Sequence, residues 1–234
     1  DLSAPQRIES QLTGGFNLDL ADLKDIFKNY SEKIASYKPM GILQGQVNLT
    51  GNIRDFKSCA IKGNLRSSTF SLLGLKSESL LLDYTQSEGI ANMPVLHLGL
   101  YAGVLEGSAK INLTSENLPF WSNFNLTDVR IERLKLDTPA KAEDISGLLR
   151  ASARINGFCA DWGKLSGTGQ ISVANGKLWQ LNLFKGLGSL LFTSDFTNIV
   201  FSEGNCNFNM ENKTVYTDNL VMKSNLAICQ EPLK

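Results

Sequence analysis

Residues 41–51 read Gly-Ile-Leu-Gln-Gly-Gln-Val-Asn-Leu-Thr-Gly, and residues 147–157 read Gly-Leu-Leu-Arg-Ala-Ser-Ala-Arg-Ile-Asn-Gly. In the first stretch Leu43, Gly45, Val47 and Leu49 alternate with Gln44, Gln46 and Asn48. In the second, Leu149, Ala151, Ala153 and Ile155 alternate with Arg150, Ser152 and Arg154. Successive side chains of a strand point to opposite faces, so a period of two gives each strand one oily and one wet face. The stretches stand 106 residues apart, and the same shift carries Asp55 to Asp161, Phe56 to Trp162, Gly63 to Gly169 and Leu65 to Ile171 without a gap. Upstream, Phe16-Asn17-Leu18 recurs as Phe124-Asn125-Leu126 after a two-residue length change. Self-similarity at one offset marks a repeat architecture. The chain holds two copies of one unit, over about 15–113 and 121–229.

The alternation extends beyond these stretches. Cys59, Ile61, Gly63 and Leu65 alternate with Ala60, Lys62, Asn64 and Arg66. Leu165, Gly167, Gly169, Ile171 and Val173 do so with Ser166, Thr168, Gln170 and Ser172, and Cys206, Phe208 and Met210 with asparagines. Asn175-Gly176, between Val173 and Leu178, predicts a hairpin turn, because both central residues accept positive φ. Glu211-Asn212-Lys213 predicts another turn before Val215. Two segments break the β pattern. Leu23, Ile26, Phe27, Tyr30 and Ile34 predict a helix over 22–35, and Leu181, Phe184, Leu187, Leu190 and Leu191 predict one over 180–192. Either could cover the mouth of an oily sheet or pack as an ordinary core helix. The fold class is therefore mainly β. Two repeated antiparallel units, 1–113 with an N-terminal helix and 114–234 with the helix near 180–192, form a curved, groove-like sheet with a few short covering helices.

Composition excludes several functions. The 234 residues carry 23 basic and 23 acidic side chains, and no basic block offers itself to phosphates, so no nucleic-acid partner is expected. The four cysteines, Cys59, Cys159, Cys206 and Cys229, are widely spaced, and His97 is the only histidine, so neither a metal site nor a cofactor is expected. If any disulfide forms, Cys206 with Cys229 is the favoured pair. No nucleophile elbow, phosphate loop, dinucleotide fingerprint or zincin motif occurs, so the chain is not expected to be an enzyme. Asp55 and Asp161 could be imagined as a glycosidase pair, but their repeat equivalence argues for a shared turn or capping role. His97, flanked by Leu96 and Leu98, is expected on the opposite face from those leucines. The longest apolar stretch, 183–192, is about half a membrane span. The chain begins at Asp1 without methionine and reads as a segment excised from something longer, so localisation is not read from it directly.

The second half also carries a family pattern. Leu100-Tyr101-Ala102-Gly103-Val104-Leu105-Glu106-Gly107-Ser108-Ala109-Lys110-Ile111-Asn112-Leu113 resembles the "LYGGxLxGxAxIdL" strand of AsmA-like proteins. There follow, as in that family, 126–131, 147–157, the hairpin-like 165–178 and the closing element 201–224. Ala102 replaces the first glycine of the pair, and Glu211-Asn212-Lys213 replaces an acidic-glycine turn. The resemblance implies an envelope protein of Gram-negative-type bacteria, periplasmic and anchored in the inner membrane. AsmA-like proteins resemble the bridge-like lipid-transfer proteins, whose repeating β-units form a groove for phospholipid acyl chains.

Two functional expectations follow. In the first, the sheet is a lipid-carrying groove that contributes to outer-membrane biogenesis and takes a phospholipid or other acyl lipid as partner. Leu43, Val47, Leu49, Ile61 and Leu65 then line it in copy one; Leu149, Ala153, Ile155, Leu165, Ile171 and Val173 line it in copy two. An isolated segment would take up lipid or pair with another copy. In the second, the chain is a structural or assembly β-sandwich whose two oily faces bury each other. Period-two alternation fits both.

Overall fold

The computed structural model describes residues 10–22, 40–72, 74–177, 201–212 and 214–224. Within them fourteen strands form one curved, open antiparallel sheet. They are β1 (Ser10–Asp19), β2 (Met40–Gly51), β3 (Ala60–Ser67), β4 (Phe70–Leu72), β5 (Leu75–Ser77), β6 (Ser79–Ser87) and β7 (Ile90–Leu100). Then come β8 (Gly103–Asn112), β9 (Pro119–Arg130), β10 (Ser146–Phe158), β11 (Asp161–Lys177), β12 (Phe201–Glu211), β13 (Thr214–Tyr216) and β14 (Val221–Ser224). The order along the sheet is β1-β2-β3-β6-β7-β8-β9-β10-β11-β12, with β13 and β14 both beyond β12 and the β4–β5 hairpin branching from the start of β2. The sheet does not break between the two units: β8 pairs with β9 from Val104–Thr127 to Ile111–Phe120.

The repeat is visible in the hydrogen-bond register. Val47 faces Gly63 as Ala153 faces Gly169, and Leu49 faces Ile61 as Ile155 faces Gly167. The β6–β7 pair recurs in β12 with β13 and β14 at an offset of 124 residues: Ser87–Ile90 becomes Glu211–Thr214, and Leu81–His97 becomes Asn205–Val221. Gly41 and Gly147, equivalent in sequence, both take positive φ, at 122° and 133°. A Cβ at Gly41 would meet the Thr69 carbonyl at 2.3 Å, and one at Gly147 the Gly176 Cα at 2.8 Å, so glycine is required at both on two counts.

The turn expected at Glu211-Asn212-Lys213 links β12 to β13, with Asn212 at φ 48°. Asn175-Gly176 is not the expected hairpin. β11 runs through it to Lys177, and the pairing with β10 slips between Leu148–Ala174 and Ser146–Lys177. Asn175, at φ 51°, sits in a bulge, which exploits the same tolerance of positive φ as a tight turn. Beyond Leu20–Asp22, which is helical, the segment of the predicted helix over 22–35 lies outside the described residues, as does that over 180–192.

The two ends of the strands are built differently. At one end lie the β4–β5 hairpin and, after β9, α1 (Ile131–Leu134) with two short 3-10 turns, Lys135–Asp137 and Pro139–Ala142. These are tied to the β7–β8 turn, whose Tyr101 and Ala102 both have positive φ. The buried Tyr101 hydroxyl accepts from the Lys76 amide at 2.9 Å and donates to Asp137 Oδ2 at 3.0 Å; Lys76 Nζ donates to Asp137 Oδ1 at 2.8 Å. At the other end the connections are tight turns, apart from the 3-10 segment Ile53–Ser58 and the longer β8–β9 loop over 113–118. Among the described cysteines, Cys59 is buried, Cys159 and Cys206 are half-buried, and all three are free thiols; Cys229 lies outside the described residues.

Candidate functional site: the apolar face of the sheet

Directly opposed residues in a ladder share a face. Following the register from the first edge, Phe16 opposes Gly45, then Leu65, Leu82 and Leu96. The row continues through Gly107, Phe124, Ala153, Gly169 and Phe208. Ten strands contribute ten residues, none of them polar. At about 4.8 Å per strand spacing the row spans roughly 43 Å.

The neighbouring row on the same face runs Ser67, Leu80, Leu98, Leu105, Leu126, Ala151, Ile171 and Cys206. Two rows from the ten-strand row on its other side, past a row that includes Val47, Gly63, Tyr84, Ser122, Ile155 and Gly167, runs Leu12, Leu49, Ile61, Gln86, Ala91, Ile111, Phe120 and Gly157. None of these rows contains a charged residue. The opposite face carries Asn17, Gln44, Arg66, His97, Glu106, Asn125, Ser152, Gln170 and Asn207 in one row, interrupted only by Leu81.

The eleven residues read from the sequence as lining one surface are all on the apolar face, by direct opposition or by alternation along their strands. Sequence reading missed its middle: Leu82, Leu96, Leu98, Leu105, Phe124 and Leu126. In β6 the run Leu80-Leu81-Leu82 hides the period of two, and in β7 an irregularity between Met93 and Leu96 shifts the phase. The signal that could have found them is the glycine spacing of β8, since Gly107 marks the row.

Among the described residues no second layer covers most of this face. In the ten-strand row Phe16 is 38% exposed and the other nine are half-buried, none fully buried. Glycine keeps the floor thin: a side chain at Gly45, Gly107 or Gly169 would collide with the ring of the Phe opposite. The expected sandwich, two oily faces burying each other, is not how the described strands are arranged, because they belong to a single sheet.

One corner is closed. Leu49, Cys59 and Ile61 are buried and pack with Val47 and Tyr84 beneath the 3-10 segment Ile53–Ser58. Gln86, 2% exposed, points into this corner from the apolar face. Its Nε2 donates to the carbonyls of Phe56 at 2.7 Å and Cys59 at 3.2 Å, while its Oε1 accepts from the Tyr84 hydroxyl at 2.6 Å. Burial raises the Tyr84 pKa above the ordinary tyrosine value, which keeps the hydroxyl a neutral donor.

The other residues weighed from the sequence fall elsewhere. Asp55 and Asp161 lie on hairpins six strand spacings apart, roughly 29 Å along the sheet, beyond the separation of a glycosidase pair. The Asp161 carboxylate accepts from the Gly163 amide at 2.9 Å within its own turn. Asp55 contributes its backbone carbonyl, to the Ser58 hydroxyl and the Cys59 thiol. His97 is on the wet face, with Nδ1 3.5 Å from a carboxylate oxygen of Glu106. Among the described residues no helix is long and apolar enough to cross a membrane. No protein-family model, curated protein or solved structure matches the chain.

Proposed function

We propose that the apolar face is a lipid-carrying surface: acyl chains lie along the uncharged rows and headgroups stay at the polar margins. The observation that supports this most is the row from Phe16 to Phe208, continuous over ten strands yet left half-exposed. Water in contact with so much apolar surface is unfavourable, by about 25 cal/mol per Å². An acyl chain relieves that cost without any charged motif. The resemblance to AsmA-like proteins supports the same reading and extends it to the bacterial envelope, with a membrane anchor outside this chain and a part in outer-membrane biogenesis.

The test is native mass spectrometry of the purified chain before and after organic extraction, with melting curves of Val47→Asp and Ala153→Asp. On this reading the wild type carries extractable lipid. Ala153→Asp loses it with a small change in Tm, because the half-exposed site lets water reach the new carboxylate. Val47→Asp, beside the closed corner, loses both lipid and several kcal/mol of stability, as for an unpaired buried charge. A lipid-free wild type, or an Ala153→Asp variant that keeps its lipid, overturns the proposal.

A further inference from the structure

The two edges of the sheet differ in how they are protected. At one edge β13 and β14 are only three and four residues long, and Lys223 of β14 pairs with Glu203 at 3.2 Å. Short, interrupted, charged strands are how proteins blunt an edge. β1 at the other edge has none of these devices. It runs ten residues without interruption, contains no proline, and carries no charge before Asp19. Leu12 and Phe16 are 54% and 38% exposed. Its outer backbone groups face no strand among the described residues.

We infer that β1 is a dimerisation edge, occupied by β1 of a second copy of this chain in antiparallel register about a two-fold axis at Gly15. The sequence of β1 suits this partner. With Gly15 opposite its own copy, Gly14 faces the partner's Phe16 and Leu12 faces the partner's Leu18, each twice by symmetry. Phenylalanine opposite glycine is the pairing that this sheet already uses at Phe16–Gly45, Phe124–Gly107 and Phe208–Gly169. On the other face Thr13 meets the partner's Asn17, and Gln11 meets the partner's Asp19, so no like charges oppose one another. Leu12, Gly14, Phe16 and Leu18 all belong to the apolar face. A two-fold axis normal to the sheet therefore joins apolar face to apolar face, and the interface is isologous and closed. This inference asks nothing of what lies on that face.

Gly15 is the place to test it. Its side-chain direction is toward the wet face, and an added Cβ would meet only the Gly45 carbonyl, at 3.6 Å, an ordinary contact. Gly15→Lys and Gly15→Glu therefore leave the monomer fold intact, yet each sets two like charges opposite one another at the axis, which is destabilising. Sedimentation equilibrium should show the wild type dimerising, and each variant alone dimerising at least about fivefold more weakly. An equimolar mixture of the two variants should recover the dimer. Circular dichroism confirms that both variants are folded. A wild type that stays monomeric through the micromolar range overturns the inference. So does association unaltered in both variants, which would place the contact on the apolar face or the other edge.

Discussion

The hairpins β2–β3 and β10–β11 share one register and one length of connecting chain, yet their ends are built differently. In the first, residues 52–59 leave the ladder and form the 3-10 segment that closes the corner over Leu49, Cys59 and Ile61. In the second, the equivalent residues 158–165 stay in or beside the ladder, Phe158 pairing with Asp161, and the equivalents Ile155, Leu165 and Gly167 remain half-buried. Two substitutions account for the difference. Asn52 caps its segment by accepting from the Arg54 amide at 3.0 Å, and Phe158 at the equivalent position has no acceptor to offer. Gln86 donates to the carbonyls of the 3-10 segment, whereas its equivalent Met210 has no donor. A sheet of this kind is closed or left open locally, by one or two polar side chains, without altering the strand register.

This contrast can be broken most directly by cavity formation. Leu49→Ala should cost about 3 kcal/mol in urea unfolding, as buried leucines do, and Ile155→Ala less than half as much. Equal losses would mean that the second copy is closed as well. Gln86→Met, which copies Met210, should cost about 1–3 kcal/mol by removing the Gln86 donor from the Cys59 carbonyl and leaving the Phe56 carbonyl with the Cys59 amide alone, and Met210→Gln under about 0.5 kcal/mol. Asn52→Ala should cost about 1 kcal/mol and release protection of the Arg54 amide against hydrogen exchange, leaving the β10–β11 turn unchanged.

The smallest effect is one of pH, and it falls at the opposite end of the strands. The hydrogen bond from Lys76, helped by that from Tyr101, holds the Asp137 carboxyl below its ordinary value of 3.8. A depressed folded-state pKa stabilises above the unfolded value and is lost as pH falls through the folded one. Acidification below about 3.8 should therefore loosen the Lys76 amide, which donates to the Tyr101 hydroxyl, in exchange experiments while the corner around Gln86 stays protected. Simultaneous loosening of both would show that the two ends are not independent.

Much of this was legible in the chain because strand alternation is a local property. Val47, Ile61, Ala153 and Ile171 could be placed on one face from their neighbours alone, and the 106-residue repeat predicted that the hairpins would share a register. Less was legible where one local signal serves two structures. Asn175-Gly176 satisfies a tight hairpin and a bulge equally well, and only the continued pairing of β11 with β10 distinguishes them. The Leu80-Leu81-Leu82 run has no readable phase until its partners Leu98, His97 and Leu96 supply one.

The sequence by itself determined which side chains travel together. A period of two binds apolar to one face and polar to the other, and glycine at Gly41 and Gly147 admits the backbone that no other residue takes there easily. Only the tertiary structure decided what that face meets. Whether β8 joins β9 in one sheet or ends a first layer that folds onto a second depends on hydrogen bonds between strands whose own sequences are compatible with either. The closure of the Leu49 corner depends likewise on Gln86 reaching carbonyls about thirty residues away. Such contacts are set by long-range pairing, which local periodicity does not encode.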